Sequence, residues 1–311
     1  MPGDSFDCGK ASFKDAGAWV LLRTEGEMTQ VVQLFSNPQA GTFSQRRVRA
    51  LAAALQDLGA TVVHSVSADG PPEILAEADH VCVAGGDGTV RHVASAVLHC
   101  GRPVTMSVFP IGTINLLARE RDYPSKACDF AQRVMASAQC RQHYPVAVDD
   151  IFFFACASSG PDSAVLARYS PRLKRHIGRM AYVAAFTALL WRWPRQRIRL
   201  RTNDREVECE AFYVAKGRYY AGPWSFAPGS RVDDPLMHVV ALTRARRRDF
   251  ARLALAVFLG RDVASVPGAT CFVATQLTAE SDMALPLQAD GDVVGHLPVR
   301  LSVGESPLSF S

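Results

Sequence analysis

The sequence predicts an α/β protein, with an N-terminal domain on a mostly parallel sheet and an antiparallel β domain after it. Three observations predict this. Short apolar runs alternate with helical periods through the first third of the chain. Beyond Tyr144-Pro145 helices become rare and short strands recur. Three turn-rich loops in the first half each follow a strand and open a helix. The length of 311 residues suits two domains, since a domain usually takes ~100–200 residues.

Val31–Phe35 reads as a buried strand, followed by the turn-rich Ser36–Gly41. Ser44–Leu58 is helical, with Val48, Leu51, Ala52, Leu55 and Leu58 on one face and Gly59 closing it. Thr61–Val66 is a second strand, Pro72–Ala78 a short helix and His80–Ala84 a third strand. Gly85-Gly86-Asp87-Gly88-Thr89 leads into a helix over Val90–Leu98. Val104–Phe109 is a fourth strand, then Pro110-Ile111-Gly112-Thr113 and a helix through Arg119. Strand–helix alternation argues for a mainly parallel sheet covered on both faces. The later strands are Ile151–Ala157, Gln196–Thr202, Val207–Lys216, His238–Leu242, Thr270–Ala274, Gln288–Ala289 and Val299–Val303. Helical insertions are expected at about 171–192 and 246–260. The expected division is a weakly ordered leader over 1–27, with Met28 as an alternative start, then domains 28–145 and 146–311.

Composition excludes several classes. Apolar residues at 48% and charged residues at 21% rule out a disordered, collagen-like or coiled-coil chain. The longest nearly uncharged apolar run, Met180–Trp191, has 12 residues, against about 20 for a membrane span. The eight cysteines form no CxxC pair. They read as buried thiols of a reducing compartment. No signal-peptide pattern opens the chain, so a cytoplasmic protein is expected.

The loop Gly85–Thr89 carries the strongest chemical signal. Glycines without a Cβ let backbone N–H groups approach an anion, and the helix start adds partial positive charge. That suits a nucleotide phosphate. Asp87 is placed to hold Mg²⁺ or orient a hydroxyl, and Thr89 to cap the helix and touch phosphate. Pro110–Asn115 and Asn37–Thr42 share the geometry at the same sheet edge, where open α/β sheets bind ligands. Any one loop alone reads equally well as ordinary turn chemistry. Neither the Walker A nor the Rossmann spacing occurs.

With these residues in view, the chain resembles the diacylglycerol kinase catalytic-domain family, which includes bacterial lipid kinases, sphingosine kinases and ceramide kinases. The resemblance spans about residues 30–305. It rests on Asn37-Pro38 with Gly41, on Gly85–Thr89, on Pro110–Ala118, on Gly178–Tyr182, on Phe226–Ser230 with Asp233-Asp234, and on Asp290-Gly291-Asp292. It implies an N-terminal parallel-sheet nucleotide-binding domain plus a C-terminal antiparallel β-sandwich domain. It further implies ATP as donor, Mg²⁺ as its companion and a lipid hydroxyl as acceptor. Asn37, Gly41, Ser67, Gly85, Gly86, Asp87, Gly88, Thr89, Gly112, Thr113 and Asn115 would build the nucleotide site. Asp292 would be the catalytic base where the family usually carries glutamate, with Asp87 beside it. Asp234 falls at the family's structural metal position. There Arg231 replaces an aspartate common among bacterial members, and Lys216 stands where asparagine is frequent. Such proteins often form homodimers.

Residues 168–205 hold eleven Lys/Arg and one acid, around the apolar Met180–Trp191. A second basic cluster, Arg244 to Arg252, adjoins Leu253–Leu259. Such stretches suit an anionic membrane surface, giving the expectation of a cytoplasmic, peripherally membrane-associated protein. Without the membrane role they read as solvated faces beside core helices. Nucleic acid is not expected as a partner, since no DNA- or RNA-binding signature occurs. Two other functions fit the same fold: a catalytically silent nucleotide or lipid sensor, and an NAD-kinase-like enzyme. The Pro110–Asn115 motif argues against the second.

Overall fold

The protein is described from a computed structural model covering residues 19–20, 30–39, 43–67, 71–136, 140–167, 195–220 and 222–311. Of the expected leader, Trp19–Val20 is described and forms an edge strand paired with Thr61–Val66 rather than a weakly ordered segment; Met28, Gly41, the helix at 171–192 and most of the first basic stretch lie outside the described residues.

The first sheet runs in the order Trp19–Val20, Thr61–Val66, Val31–Ser36, His80–Gly85, Thr105–Pro110, Leu308–Phe310, Arg141–His143. Its five central strands are parallel and its two edges antiparallel. Its strands are nearly continuous apolar runs because helices cover them. Helix α1 (Gln45–Asp57) starts at Ser44, whose side chain accepts from the Arg47 N–H, and buries Val48, Leu51 and Leu55. Helix α2 (Asp87–His99) follows the third central strand, and the short α3 (Leu116–Glu120) follows the fourth. Helix α4 (Ala127–Ala136), which the apolar spacing did not bring out, packs Phe130 edge-on to Phe109, ring centroids 5.1 Å apart.

Two six-stranded antiparallel sheets form the second part. One runs Glu206–Cys209, Ile198–Arg201, Gln276–Glu280, Val299–Val303, Val146–Val148, Ile151–Phe153. The other runs Ala269–Ala274, Met237–Leu242, Ala211–Ala215, Cys156–Ser159, Pro286–Ala289, Asp292–His296. One apolar core joins them, with Val146, Leu277 and Leu301 from the first against Phe212, Val239 and Leu287 from the second. This is a face-to-face sandwich. The outer face of the second sheet carries Tyr213, Val240 and Leu242, covered by Leu253 of helix α6 (Arg247–Phe258). Helix α5 (Pro161–Ala167) follows Cys156–Ser159.

Several expectations change. No helix forms over Pro72–Ala78. The Gln33 side chain donates to the Glu73 carbonyl at 2.9 Å and accepts from the Leu75 N–H at 3.0 Å. A strand residue thereby takes the bonds a helix would have made internally. Helix α2 begins at Asp87, three residues early, and Gly86 rather than Thr89 is its N-cap. The expected single strands Ile151–Ala157 and Val207–Lys216 each break, near Phe154 and at Glu210, as the chain crosses from one sandwich sheet to the other. The sandwich also gives up its last strand, because Leu308–Phe310 returns to the first sheet. Cys128, Cys140 and Cys271 are exposed rather than buried; Cys271 lies on an edge strand, where alternate side chains face outward.

Candidate active site

The site lies where the first sheet's carboxyl edge meets the Pro286–Ala289/Asp292–His296 hairpin. Two loops at the carboxyl edge of the first sheet touch backbone to backbone there. A Cβ on Gly112 would sit 2.3 Å from the Gly86 Cα and 2.5 Å from Asn115 Oδ1, so only glycine allows this approach. Asn115 holds the loop from its other end in a left-handed conformation (φ 57°, ψ 56°). Its side chain accepts from the Gly112 N–H and donates to the Gly112 carbonyl, both at 2.7 Å. Thr113 is exposed at the loop tip.

Asp87 ties these loops together. Its carboxylate accepts from the Leu116 N–H at 2.6 Å and the Leu117 N–H at 3.4 Å, which caps α3. Burial of the carboxyl, then the nearby Asp290 charge, pushes its pKa up to about 7, while those N–H groups pull it down. The start of α2 has no side-chain cap. Its first-turn N–H groups therefore remain suited to a phosphate. Thr89 is buried, and its hydroxyl accepts from Asn37 Nδ2 at 3.3 Å. Asn37 Oδ1 in turn accepts from the Gln39 N–H at 2.8 Å. The Ser67 hydroxyl is buried with no hydrogen-bond partner among the described residues. Gly85 closes the strand beneath Thr89. Apart from Gly41, the expected nucleotide-site residues thus gather at this edge, held by Asn37–Thr89 and Gly86–Gly112 contacts.

The hairpin brings Asp292 to the first turn of α2. Asp290 (φ 48°) and Gly291 (φ 87°) form its two-residue turn, with Ala289 opposite Asp292. Asp292 Oδ2 accepts from Arg91 Nη2 at 3.0 Å and lies 2.9 Å from where a Cβ on Gly88 would be. Arg91 is nearly buried (7% exposed), whereas the Asp292 side chain is 40% exposed. The acid thus faces solvent from a fixed mount beside the helix start.

Asp290, which the sequence places in the Asp290-Gly291-Asp292 motif without a site role of its own, is a third member. It is buried, and its carboxylate accepts from the N–H groups of Phe154, Ala155 and Cys156 at 2.8, 2.9 and 3.1 Å. Those donors are freed where the chain crosses between sheets. Burial raises the Asp290 pKa while the three N–H groups lower it. Arg91 was likewise not singled out. The only signal for it was its place one turn after the glycine loop on α2.

Two cations sit around Asp234, the expected metal residue. Lys216 is fully buried, and its ammonium donates to the carbonyls of Arg231, Val232 and Asp234 at 3.0, 3.1 and 2.7 Å. All three of its N–H donors are used. Arg231 pairs with Asp233 through two bonds of 3.0 and 2.8 Å and lies 3.9 Å from Asp234. A cation already occupies the carbonyl seat and another lies against the acids, so a divalent ion there would be repelled. Burial lowers the Lys216 pKa to about 8. Lys216→Met should leave three carbonyls unmatched and destabilise the fold by roughly 3 kcal/mol. The unfolded lysine holds its proton up to its ordinary value, so between about 8 and that value the unfolded state binds more protons. Wild-type stability should therefore gain on the Lys216→Met variant as pH rises through this window. Thermal unfolding of both proteins from pH 7 to 10 checks this, and parallel curves would contradict it. Added Mg²⁺ should not raise the wild-type melting temperature through this loop.

The donor set fits Mg²⁺ that arrives on phosphates. No group of three metal-binding side chains converges among the described residues. Mg²⁺ commonly keeps several waters and takes one or two carboxylates besides substrate phosphates. Asp87 lies at the phosphate-suited turn and can serve in that way.

Comparison with known proteins agrees with this geometry. A model of the diacylglycerol kinase catalytic domain matches residues 31–145, and a model of the YegS C-terminal NAD kinase beta sandwich-like domain matches residues 155–309. A Pseudomonas aeruginosa (strain UCBPP-PA14) protein named "Probable lipid kinase YegS-like" is 30% identical over 222 residues, 68% of this chain and 72% of that one. A diacylglycerol kinase of Bacillus subtilis (strain 168) is 24% identical over 72% of this chain and 74% of its own length. A crystal structure of a diacylglycerol kinase from Bacillus anthracis str. Sterne shares the fold, with TM-score 0.70 at 15% identity, covering 92% of this chain and 97% of that one. With both family models matched in succession and the similarity to the Pseudomonas protein extending over most of its length, the chain belongs to the diacylglycerol kinase catalytic-domain family, and with it to the lipid kinases.

Proposed function

We propose that this chain transfers the γ-phosphoryl group of ATP to a hydroxyl of diacylglycerol or of a related sphingoid or ceramide lipid. The observation that carries the reading is Asp292, a half-exposed carboxylate from the second domain held by Arg91 against the uncapped start of α2. Phosphoryl transfer needs a seat for phosphate, neutralisation of its charge, and a base for the attacking hydroxyl. The first turn of α2 and the Gly112 loop supply the seat. Arg91 supplies positive charge, and its guanidinium can turn from Asp292 to a phosphate oxygen. Asp292 accepts the hydroxyl proton as the lipid oxygen bonds to the γ-phosphorus and the bond to the bridging oxygen of ADP breaks. Mg²⁺, when bound with the nucleotide, adds charge neutralisation at the phosphates. Asp87 holds the two loops in register by accepting from the Leu116 and Leu117 N–H groups.

An acceptor panel tests the reading. The protein, ATP and Mg²⁺ are incubated with mixed micelles of diacylglycerol, ceramide or sphingosine, or with NAD, and products are identified by mass spectrometry. A phosphorylated lipid is the expected product. NADP as the product would replace this reading with the soluble-acceptor one. ATP binding without product from any acceptor would leave a nucleotide sensor.

A further inference from the structure

The inner face of α6 is accounted for: Leu253 and Ala256 are buried against the second sandwich sheet. Its outer face is not. Leu255, Phe258 and Leu259 are 53%, 62% and 49% exposed at the carboxyl end of the helix. Trp224, from a separate loop and itself 38% exposed, lies against Phe258 with ring centroids 5.6 Å apart. Four large apolar side chains thus form one tip. Scattered single apolar residues are ordinary on a surface, but a cluster of them marks an interaction site.

The charge around the tip has one sign. Residues 244–261 contain six arginines and a single acid, Asp249. Asp249 is itself buried, with Oδ1 3.7 Å from Arg248 and 3.8 Å from Arg252. It offsets part of their charge from below and leaves both guanidinium groups exposed. A basic turn followed along the same face by an apolar end, with an indole beside it, matches a bilayer rim, where anionic headgroups lie outside and acyl chains within.

The tip is also tied to the catalytic edge. The Trp224 carbonyl accepts from the Tyr220 N–H at 2.8 Å, and the Tyr220 hydroxyl donates to buried Asp162 at 2.6 Å. At the start of that loop, the Arg218 N–H donates to Glu120 of α3 at 2.9 Å, and α3 is the helix that Asp87 caps.

We propose that the outer face of α6 with Trp224 is the surface by which this protein docks on an anionic phospholipid bilayer, Leu255, Phe258 and Leu259 entering the headgroup–acyl boundary while Arg248 and Arg252 meet the headgroups. The proposal rests on the lipid-kinase reading, because an acceptor held in a bilayer requires such a surface.

Full-length protein is sedimented with vesicles of phosphatidylcholine alone and of phosphatidylcholine with roughly 30% phosphatidylglycerol. Wild type should partition more strongly to the anionic vesicles at low salt, and the preference should shrink at high salt. Leu255→Glu/Phe258→Glu should lower partitioning at least about tenfold, with an unchanged circular dichroism spectrum. Arg248→Gln/Arg252→Gln should weaken the salt dependence. Equal partitioning by wild type and the Leu255/Phe258 variant overturns the proposal. So does a wild-type dimer in lipid-free gel filtration that this variant converts to monomer, since a second copy then covers the face. Phosphorylation of a short-chain, water-soluble diacylglycerol is measured in parallel and should be the same in wild type and variant. If neither phosphorylates it while vesicle binding still depends on this face, the docking surface stands and the kinase reading falls.

Discussion

Asp292→Asn should reduce phosphoryl transfer by about 10²–10⁴-fold, the range that a positioned general base contributes, while leaving ATP affinity nearly unchanged. The amide is isosteric and its oxygen can still accept from Arg91, so the 3.0 Å contact and the hairpin should survive. What is lost is the negative charge and the ability to take a proton. Asp292→Glu provides the companion test. It restores the side chain usual in the family and should keep at least about a tenth of wild-type activity. The extra methylene has to find room beside Gly88, where Oδ2 already lies 2.9 Å from a Cβ position. Steady-state transfer assays together with calorimetric ATP titrations separate the two effects. Wild-type turnover by Asp292→Asn would remove this residue from the chemistry.

The second large effect is expected from Gly112→Ala. The new methyl group would sit 2.3 Å from the Gly86 Cα and 2.5 Å from Asn115 Oδ1. Neither neighbour yields easily. Gly86 is the N-cap of α2, and Asn115 is bonded twice to Gly112 itself. The two loops must separate, opening the seat assigned to the phosphates and pulling Leu116 and Leu117 away from Asp87. A stability loss of about 1–3 kcal/mol, as for other overpacked sites, should accompany at least about a tenfold loss of ATP affinity, equivalent to 1.4 kcal/mol or more. Gly229→Ala is the control. No atom lies within 4 Å of a Cβ there, so a change within about 0.5 kcal/mol is expected. Wild-type melting and ATP binding by Gly112→Ala would show that the contact is not needed.

The parts of this molecule that were legible in its sequence are those built from neighbouring residues. Ser44 capping α1, the buried runs Val31–Ser36 and His80–Gly85, and the glycine loops after the strands depend on local periodicity and turn chemistry. The illegible parts join residues far apart in the chain. Asp290 reads as the first residue of an Asp-Gly turn, which it is. Its burial under three N–H groups depends on a sheet crossing 134–136 positions away. Arg91 and Asp292 meet across 201 positions. Lys216 reads only as a cation where asparagine is frequent, and the carbonyls of Arg231, Val232 and Asp234 that surround it come from 15, 16 and 18 positions away. Pro72–Ala78 carried helix-compatible residues, but Gln33 on a neighbouring strand took its backbone bonds. Leu308–Phe310 has the composition of any short strand, and nothing local says that it leaves the sandwich for the first sheet.

Transfer of the γ-phosphoryl group to lipid is expected at the edge where Asp292 meets the start of α2. Its most direct test is to follow γ-labelled ATP with diacylglycerol micelles and Mg²⁺, counting label in the organic phase against ADP released. One labelled lipid per ADP is expected, with both products lost in Asp292→Asn. Release of ADP with inorganic phosphate and unlabelled lipid, or no turnover with any lipid acceptor, would contradict it.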